Sequence, residues 1–203
     1  MSWNGVFLRF VVAVFLIGTA CCAEAQSAPS AYQGALPLRV GGGLAIYNTE
    51  IYSTSQMGPT VWIDWTPGRM PGFLRGLGFE AEGRELLWGQ PNGSTWTVAT
   101  VGGGPIYSWR RSRSIRPYVK GLLNYGMQWN IKNNALPAWY TSDKWMTYAI
   151  GGGIDVRVKG AIWVRGDYEY QFWKPNWFNT NDYLNPKGLT LGVLYDFGGR
   201  RSR

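Results

Sequence analysis

The sequence predicts an all-β fold, an eight-stranded antiparallel transmembrane β-barrel preceded by a cleavable signal peptide. Three observations carry this expectation. Beyond the N-terminal region no apolar run approaches the length of about 20 residues that a membrane helix needs. Eight segments instead alternate apolar and polar side chains with the period of two that a strand imposes. Of an aromatic complement high in Trp and Tyr, 12 of each, two sets lie near the two ends of those segments, where amphipathic rings favour a membrane interface.

The N-terminus reads MSWNGVFLRFVVAVFLIGTACCAEAQ, with Arg9, an apolar run from Phe10 to Ala20, and Ala23-Glu24-Ala25 before Gln26. That is the layout of a secretory signal over residues 1–25, and the apolar run is too short to cross a bilayer core of about 30 Å as a helix. Export is therefore expected. Cys21 and Cys22 precede the cut, so a processed chain carries no cysteine and no disulfide. An alternative makes Cys21 a lipid-anchored N-terminus, but Gly18 stands where a lipoprotein signal usually carries Leu. A short extension, 26–35, leads into the barrel, 36–198, and a basic tail, 199–203, follows it.

Within the barrel the strand-like segments run from Leu38 to Tyr47, Met57 to Trp65, Leu74 to Trp88, Thr95 to Trp109, Arg116 to Asn130, Trp145 to Val158, Ala161 to Phe172 and Leu189 to Phe197. Spans of about ten residues suit a tilted membrane strand, whereas strands of soluble folds are nearer five or six. The connections alternate in kind. TPGRMPGF, RRSRSI and KG are compact, while NNALPAWYTSDK and KPNWFNTNDYLNPKG are longer and polar. With a periplasmic N-terminus the compact connections all fall on the periplasmic side, as in outer-membrane barrels.

The faces are sharply divided. AIWVRGDYEYQFW sets Arg165, Asp167, Glu169 and Gln171 against Val164, Gly166, Tyr168, Tyr170 and Phe172. Leu77, Phe79 and Ala81 oppose Glu80, Glu82 and Arg84; Val119, Leu123, Tyr125 and Met127 oppose Lys120, Asn124 and Gln128; Ile154, Val156 and Val158 oppose Asp155 and Arg157. A secreted soluble barrel holding a small apolar ligand inside has the same alternation with the faces exchanged. Two features favour the membrane form. The polar faces carry Arg39, Arg84, Lys120, Arg157 and Arg165 against Asp64, Glu80, Glu82, Asp155, Asp167 and Glu169, nearly balanced, as a narrow lumen of paired charges requires. The aromatics form two sets, Tyr47, Trp88, Trp96, Trp129, Trp145 and Phe172 towards one end and Trp65, Phe73, Tyr107, Trp109 and Phe197 towards the other, matching two interfacial girdles.

The last segment, LTLGVLYDFGG, places Thr190, Gly192, Tyr195 and Phe197 in a polar-x-Gly-x-x-aromatic-x-aromatic pattern. It resembles the C-terminal assembly signal of outer-membrane barrels, although six residues follow the final aromatic here. With the signal peptide and the strand count, the chain resembles the small OmpA-type and OmpX-type outer-membrane β-barrel family. The resemblance implies residence in the outer membrane, contact with its lipid bilayer and insertion by the barrel assembly machinery.

For chemistry the sequence offers little. The sequence contains no His, which removes Ser-His and Asp-His mechanisms and the His base that deacylases and proteases of the resembled family use. Metal sites built on His or Cys fail for the same reason. No enzyme activity, cofactor or metal is expected. The triplets at Gly41, Gly102 and Gly151 open no helix, so they read as relief of crowding in a tightly curved barrel and not as phosphate loops. Eight strands enclose a space just wide enough for side chains, so the lumen is expected to be plugged by ion pairs, with a narrow ion channel as the alternative. Arg69, Arg75, Arg110, Arg111, Arg113, Arg116, Lys159, Arg200, Arg201 and Arg203 cluster at the periplasmic ends and supply half of the 20 basic residues, an anchor for anionic head groups. The pI of about 9.6 also raises nucleic acid, which export and the lack of a binding module disfavour. Trp139 and Tyr140, with Trp177, Phe178 and Tyr183, mark two outside loops as candidates for surface interaction.

Overall fold

The computed structural model describes residues 38–48, 55–67, 70–89, 95–110, 112–129, 142–173 and 185–198. The proposed signal peptide, the extension to residue 35, the tail 199–203 and the loop aromatics Trp139, Tyr140, Trp177, Phe178 and Tyr183 lie outside the described residues. Eight strands follow in order: β1 (Leu38–Asn48), β2 (Ser55–Trp65), β3 (Leu77–Gly89), β4 (Thr95–Ser108), β5 (Ile115–Trp129), β6 (Ser142–Lys159), β7 (Ile162–Phe172) and β8 (Lys187–Asp196). Each pairs antiparallel with the next, and β1 closes on β8 with Val40 opposite Tyr195 and Leu44 opposite Leu191. Closure leaves no unpaired strand edge, the condition for crossing a bilayer as strands.

The connections joining β2 to β3, β4 to β5 and β6 to β7 lie at one end, termed the turn end; the others lie at the loop end. Gly160, with φ of 56°, makes the tight β6–β7 turn. Expected strand limits hold to within a few residues, with one substantive correction. Leu74 does not begin β3: Pro71 and Gly72, φ 45°, start a 3-10 turn over Gly72–Gly76, and the Leu74 N–H donates to the Pro71 carbonyl at 3.0 Å.

The outer surface is apolar along the strands. Leu44, Met57, Val101, Leu123, Ile150, Tyr168, Leu189, Leu191 and Val193 are all exposed. The charged faces of the same strands are buried: Asp64, Glu80, Asp155 and Glu169 are each 0% exposed. This inversion overturns the soluble-barrel alternative, since water would meet leucine outside and a ligand would meet carboxylates within.

The aromatic girdles are corrected in part. Trp65, Phe73, Trp109, Phe172 and Phe197 are exposed as expected, but Tyr47 and Trp145 point inward and are buried. They share the strand parity of Ala45 and Thr147, which settles their direction. With Ala45, Leu86, Val98 and Trp173 they form an apolar cluster in the loop-end half of the lumen. A second cluster, Trp62, Trp163 and Leu194, occupies the turn-end half.

Candidate functional site: the ion-paired lumen

Packed against both apolar clusters is a network of charged side chains projected by period-two alternation from six strands, β1, β2, β3, β5, β6 and β7. Arg165 of β7 is its centre. Its guanidinium donates from Nε to Asp155 Oδ1 at 2.8 Å, from Nη1 to Glu80 Oε2 at 2.6 Å and from Nη2 to Asp64 Oδ2 at 2.7 Å. Arg39 lies beside it, 2.7 Å from Asp155 Oδ2 and 3.0 Å from Asp64 Oδ2. These contacts join β1, β2, β3, β6 and β7, so most of them cross the lumen between strands that share no backbone hydrogen bonds.

Lys120 of β5 is a second centre. Its Nζ lies 2.9 Å from Glu80, 2.8 Å from Glu82, 3.3 Å from Asp167 and 3.2 Å from Glu169. Arg84 bridges Glu82 and, at 3.1 Å, Glu169. The Tyr118 hydroxyl donates to Asp167 Oδ2, and the Gln171 amide donates to Glu169 Oε1 while its own oxygen accepts from the Trp173 indole N–H. A buried charge is tolerated only with partners that replace its lost hydration, and here each cation touches at least two carboxylates.

Aromatic faces complete the shell. The Arg165 guanidinium sits 4.5 Å from the Tyr118 ring centroid and 5.1 Å from that of Trp62; Arg84 stands 4.4 Å from Tyr47, and Arg116 4.0 Å from Trp163. Cation–π contacts contribute about 0.5–1 kcal/mol at exposed sites and about 2 kcal/mol when desolvated. The glycine triplets make room for these groups. A Cβ on Gly41 would come within 2.5 Å of the Trp62 indole, and one on Gly102 within 2.2 Å of Asn124 Oδ1.

Of the expected lumen charges, Arg39, Asp64, Glu80, Glu82, Arg84, Lys120, Asp155, Arg165, Asp167 and Glu169 come together. Arg157 does not, and this corrects the expectation. β6 outruns β5 at the turn end, the register with β7 slips between Arg157 and Lys159, and Arg157 is left exposed with its Nε donating to the Gly160 carbonyl at 2.6 Å. Its loss from the lumen changes the balance. Four cations, Arg39, Arg84, Lys120 and Arg165, face six carboxylates, Asp64, Glu80, Glu82, Asp155, Asp167 and Glu169, a formal excess of two negative charges. Sequence reading missed the Arg116–Asp196 pair, 2.8 Å apart near the turn end, and the inward Trp62, Tyr118, Trp163 and Leu194. Counting by twos from the nearest luminal charge finds each of them.

In β8 and the residue just after it, the four residues of the assembly pattern divide by face. Thr190 is buried and Gly192 lies beneath Trp62, where a Cβ would approach the ring to 2.5 Å. Tyr195 and Phe197 face outward, their rings 4.8 Å apart in an edge-to-face contact. Spacing of the two aromatics by two residues is what puts both on the lipid side.

An apolar exterior, an ionic interior and a closed ring of eight antiparallel strands define a transmembrane β-barrel of the outer-membrane type. Solved structures of that class share the fold. Neisserial surface protein A aligns with a TM-score of 0.63 at 14% identity over 81% of this chain and 99% of that one. The attachment invasion locus protein Ail of Yersinia pestis aligns at 0.50 and 13% identity over 78% and 96%, and the outer membrane protein OprG of Pseudomonas aeruginosa at 0.52 and 11% over 80% and 97%. No protein-family model and no curated protein sequence matches the chain.

Proposed function

We propose that the chain resides in a bacterial outer membrane as a non-enzymatic barrel with a plugged lumen, a rigid mount that presents its loop-end connections to a surface partner. The observation that carries this reading is the network around Arg165 and Lys120, which links strands across the lumen and packs against both apolar clusters. Such cross-lumen ties favour a stiff scaffold over a conduit. The printed names of two fold neighbours, a surface protein and an attachment protein, fit a surface role; a shared fold by itself assigns none. Insertion by the barrel assembly machinery through the Thr190–Phe197 pattern belongs to the same proposal. The aromatic connections 130–141 and 174–184 are the segments proposed to meet the partner.

Two measurements test the reading. In planar bilayers the purified protein is expected to give no unitary current steps; steps that shrink when Arg165 or Glu169 is replaced would support the narrow channel instead, and the carboxylate excess would make that channel cation-selective. Replacing the aromatics of residues 130–141 and 174–184 by Ser is expected to abolish adhesion of expressing cells to host-cell or matrix surfaces while heat-modifiable migration is kept. Undiminished adhesion would refute the role given to these connections.

A further inference from the structure

The β2–β3 and β4–β5 connections enclose an open cleft of about 900 Å³ at the turn end. Phe73, Tyr107, Trp109, Ile115 and Pro117 supply its apolar wall, and Arg75 and Arg110 its charge. Ile115 and Pro117 lie on the outward face of β5 together with Val119, so the wall runs directly into the apolar belt of the barrel. Phe73 is 80% exposed, and its backbone is tied to the wall: the Tyr107 hydroxyl donates to its carbonyl at 2.8 Å, and the Tyr107 and Trp109 rings meet edge to face at 5.1 Å.

Neither arginine is held in a close ion pair; Asp196 offsets Arg110 only in part. Among the described residues neither Arg75, Arg110 nor the neighbouring Arg113 takes part in an ion pair, whereas Arg116 is paired with Asp196. Desolvation at the rim, and then the like charges of Arg39 and Arg116, push the Arg110 pKa below the ordinary arginine value against a smaller opposing pull from Asp196. An anion placed there would relieve that repulsion.

We propose that this cleft seats an anionic phospholipid, with the phosphate between Arg75 and Arg110 and an acyl chain laid along Phe73, Trp109 and Ile115. A soluble anion would use the arginines and leave the exposed rings in water; a zwitterionic lipid would use the rings and leave the charge unanswered. Only an anionic lipid matches both halves, and the cleft opens onto the surface that lipid already covers.

The test is electron spin resonance of the full chain reconstituted in phosphatidylcholine vesicles with trace spin-labelled phosphatidylglycerol or spin-labelled phosphatidylcholine. The motionally restricted fraction is expected to favour phosphatidylglycerol several-fold. Replacing Arg75→Gln and Arg110→Gln together is expected to bring the preference close to one, whereas Arg157→Gln, an exposed cation at the same end but outside the cleft, leaves it intact. No preference in the wild type, or an equal loss in Arg157→Gln, would overturn the site in favour of diffuse charge. Displacement of the labelled lipid by millimolar inorganic phosphate would overturn it in favour of a soluble anion. Should the double variant fail to insert, Phe73→Ser, which alters no strand, is expected to lower the preference by itself, and an unchanged preference would count against the proposal.

Discussion

Arg165 shows most plainly what a single side chain does in this barrel. Its guanidinium holds Asp64, Glu80 and Asp155 together at 2.6 to 2.8 Å, and no other cation reaches all three. Arg165→Met leaves those carboxylates facing one another in a buried space, and removal of one partner from a buried ionic group costs about 3–5 kcal/mol. Arg157→Met, at the exposed rim, is expected to stay within about 0.5 kcal/mol; urea titrations in lipid vesicles compare the two. The glycines allow a second comparison. At Gly102 a Cβ meets the Leu123 carbonyl at 2.2 Å, backbone that cannot swing away, whereas at Gly121 nothing lies within 4 Å. Gly102→Ala is expected to cost about 1–3 kcal/mol and Gly121→Ala to be neutral or mildly stabilising, read in the same titration. Most of the ionic residues were legible in the sequence because a charge on a membrane strand has one tolerable direction. Arg157 was misplaced because parity gives a side chain's face but not whether its strand has already left its neighbours.

At the scale of the element, alternation fixes the two faces of each strand more firmly than its ends. β8 is the clearest case, with Leu189, Leu191, Val193 and Tyr195 outward and Thr190, Leu194 and Asp196 inward. Leu191→Arg sets a cation against the acyl chains near the middle of the strand and is expected to cost about 2–4 kcal/mol in lipid refolding. A cost no larger than that of the same change at Phe197, beyond the strand end, would argue against the face assigned. The inward Leu194 shows where pattern reading failed. An apolar residue in a lumen looks like an error when the interior is taken to be wholly polar, but the ionic network shares the lumen with two apolar clusters, Trp62, Trp163 and Leu194 towards the turn end and Tyr47, Trp145 and Trp173 towards the loop end. The start of β3 was misjudged for a local reason: Pro71 and Gly72 close a 3-10 turn that hydrophobic alternation does not record.

For the whole molecule, the ionic network and the apolar belt are two parts of one arrangement. Each strand presents lipid with apolar side chains, so its polar ones can only converge on the lumen, and a ring of eight strands brings them within bonding distance of partners several strands away. Closure also explains why β1 and β8, at opposite ends of the chain, meet in regular register from Arg39 with Asp196 to Asn48 with Lys187. What the sequence could not show was which cation meets which carboxylate, because cross-lumen pairing depends on strand stagger and not on spacing along the chain. The central claim is that lipid contacts the outward methyl groups and no others. Solution NMR of the methyl-labelled protein in lipid nanodiscs tests it without altering a residue. Intermolecular Overhauser effects to acyl-chain protons are predicted for the methyls of Val101, Leu123, Leu191 and Val193 and not for those of Leu86, Val98 and Leu194; the reverse pattern, with Leu194 touching lipid and Val193 silent, would contradict the account.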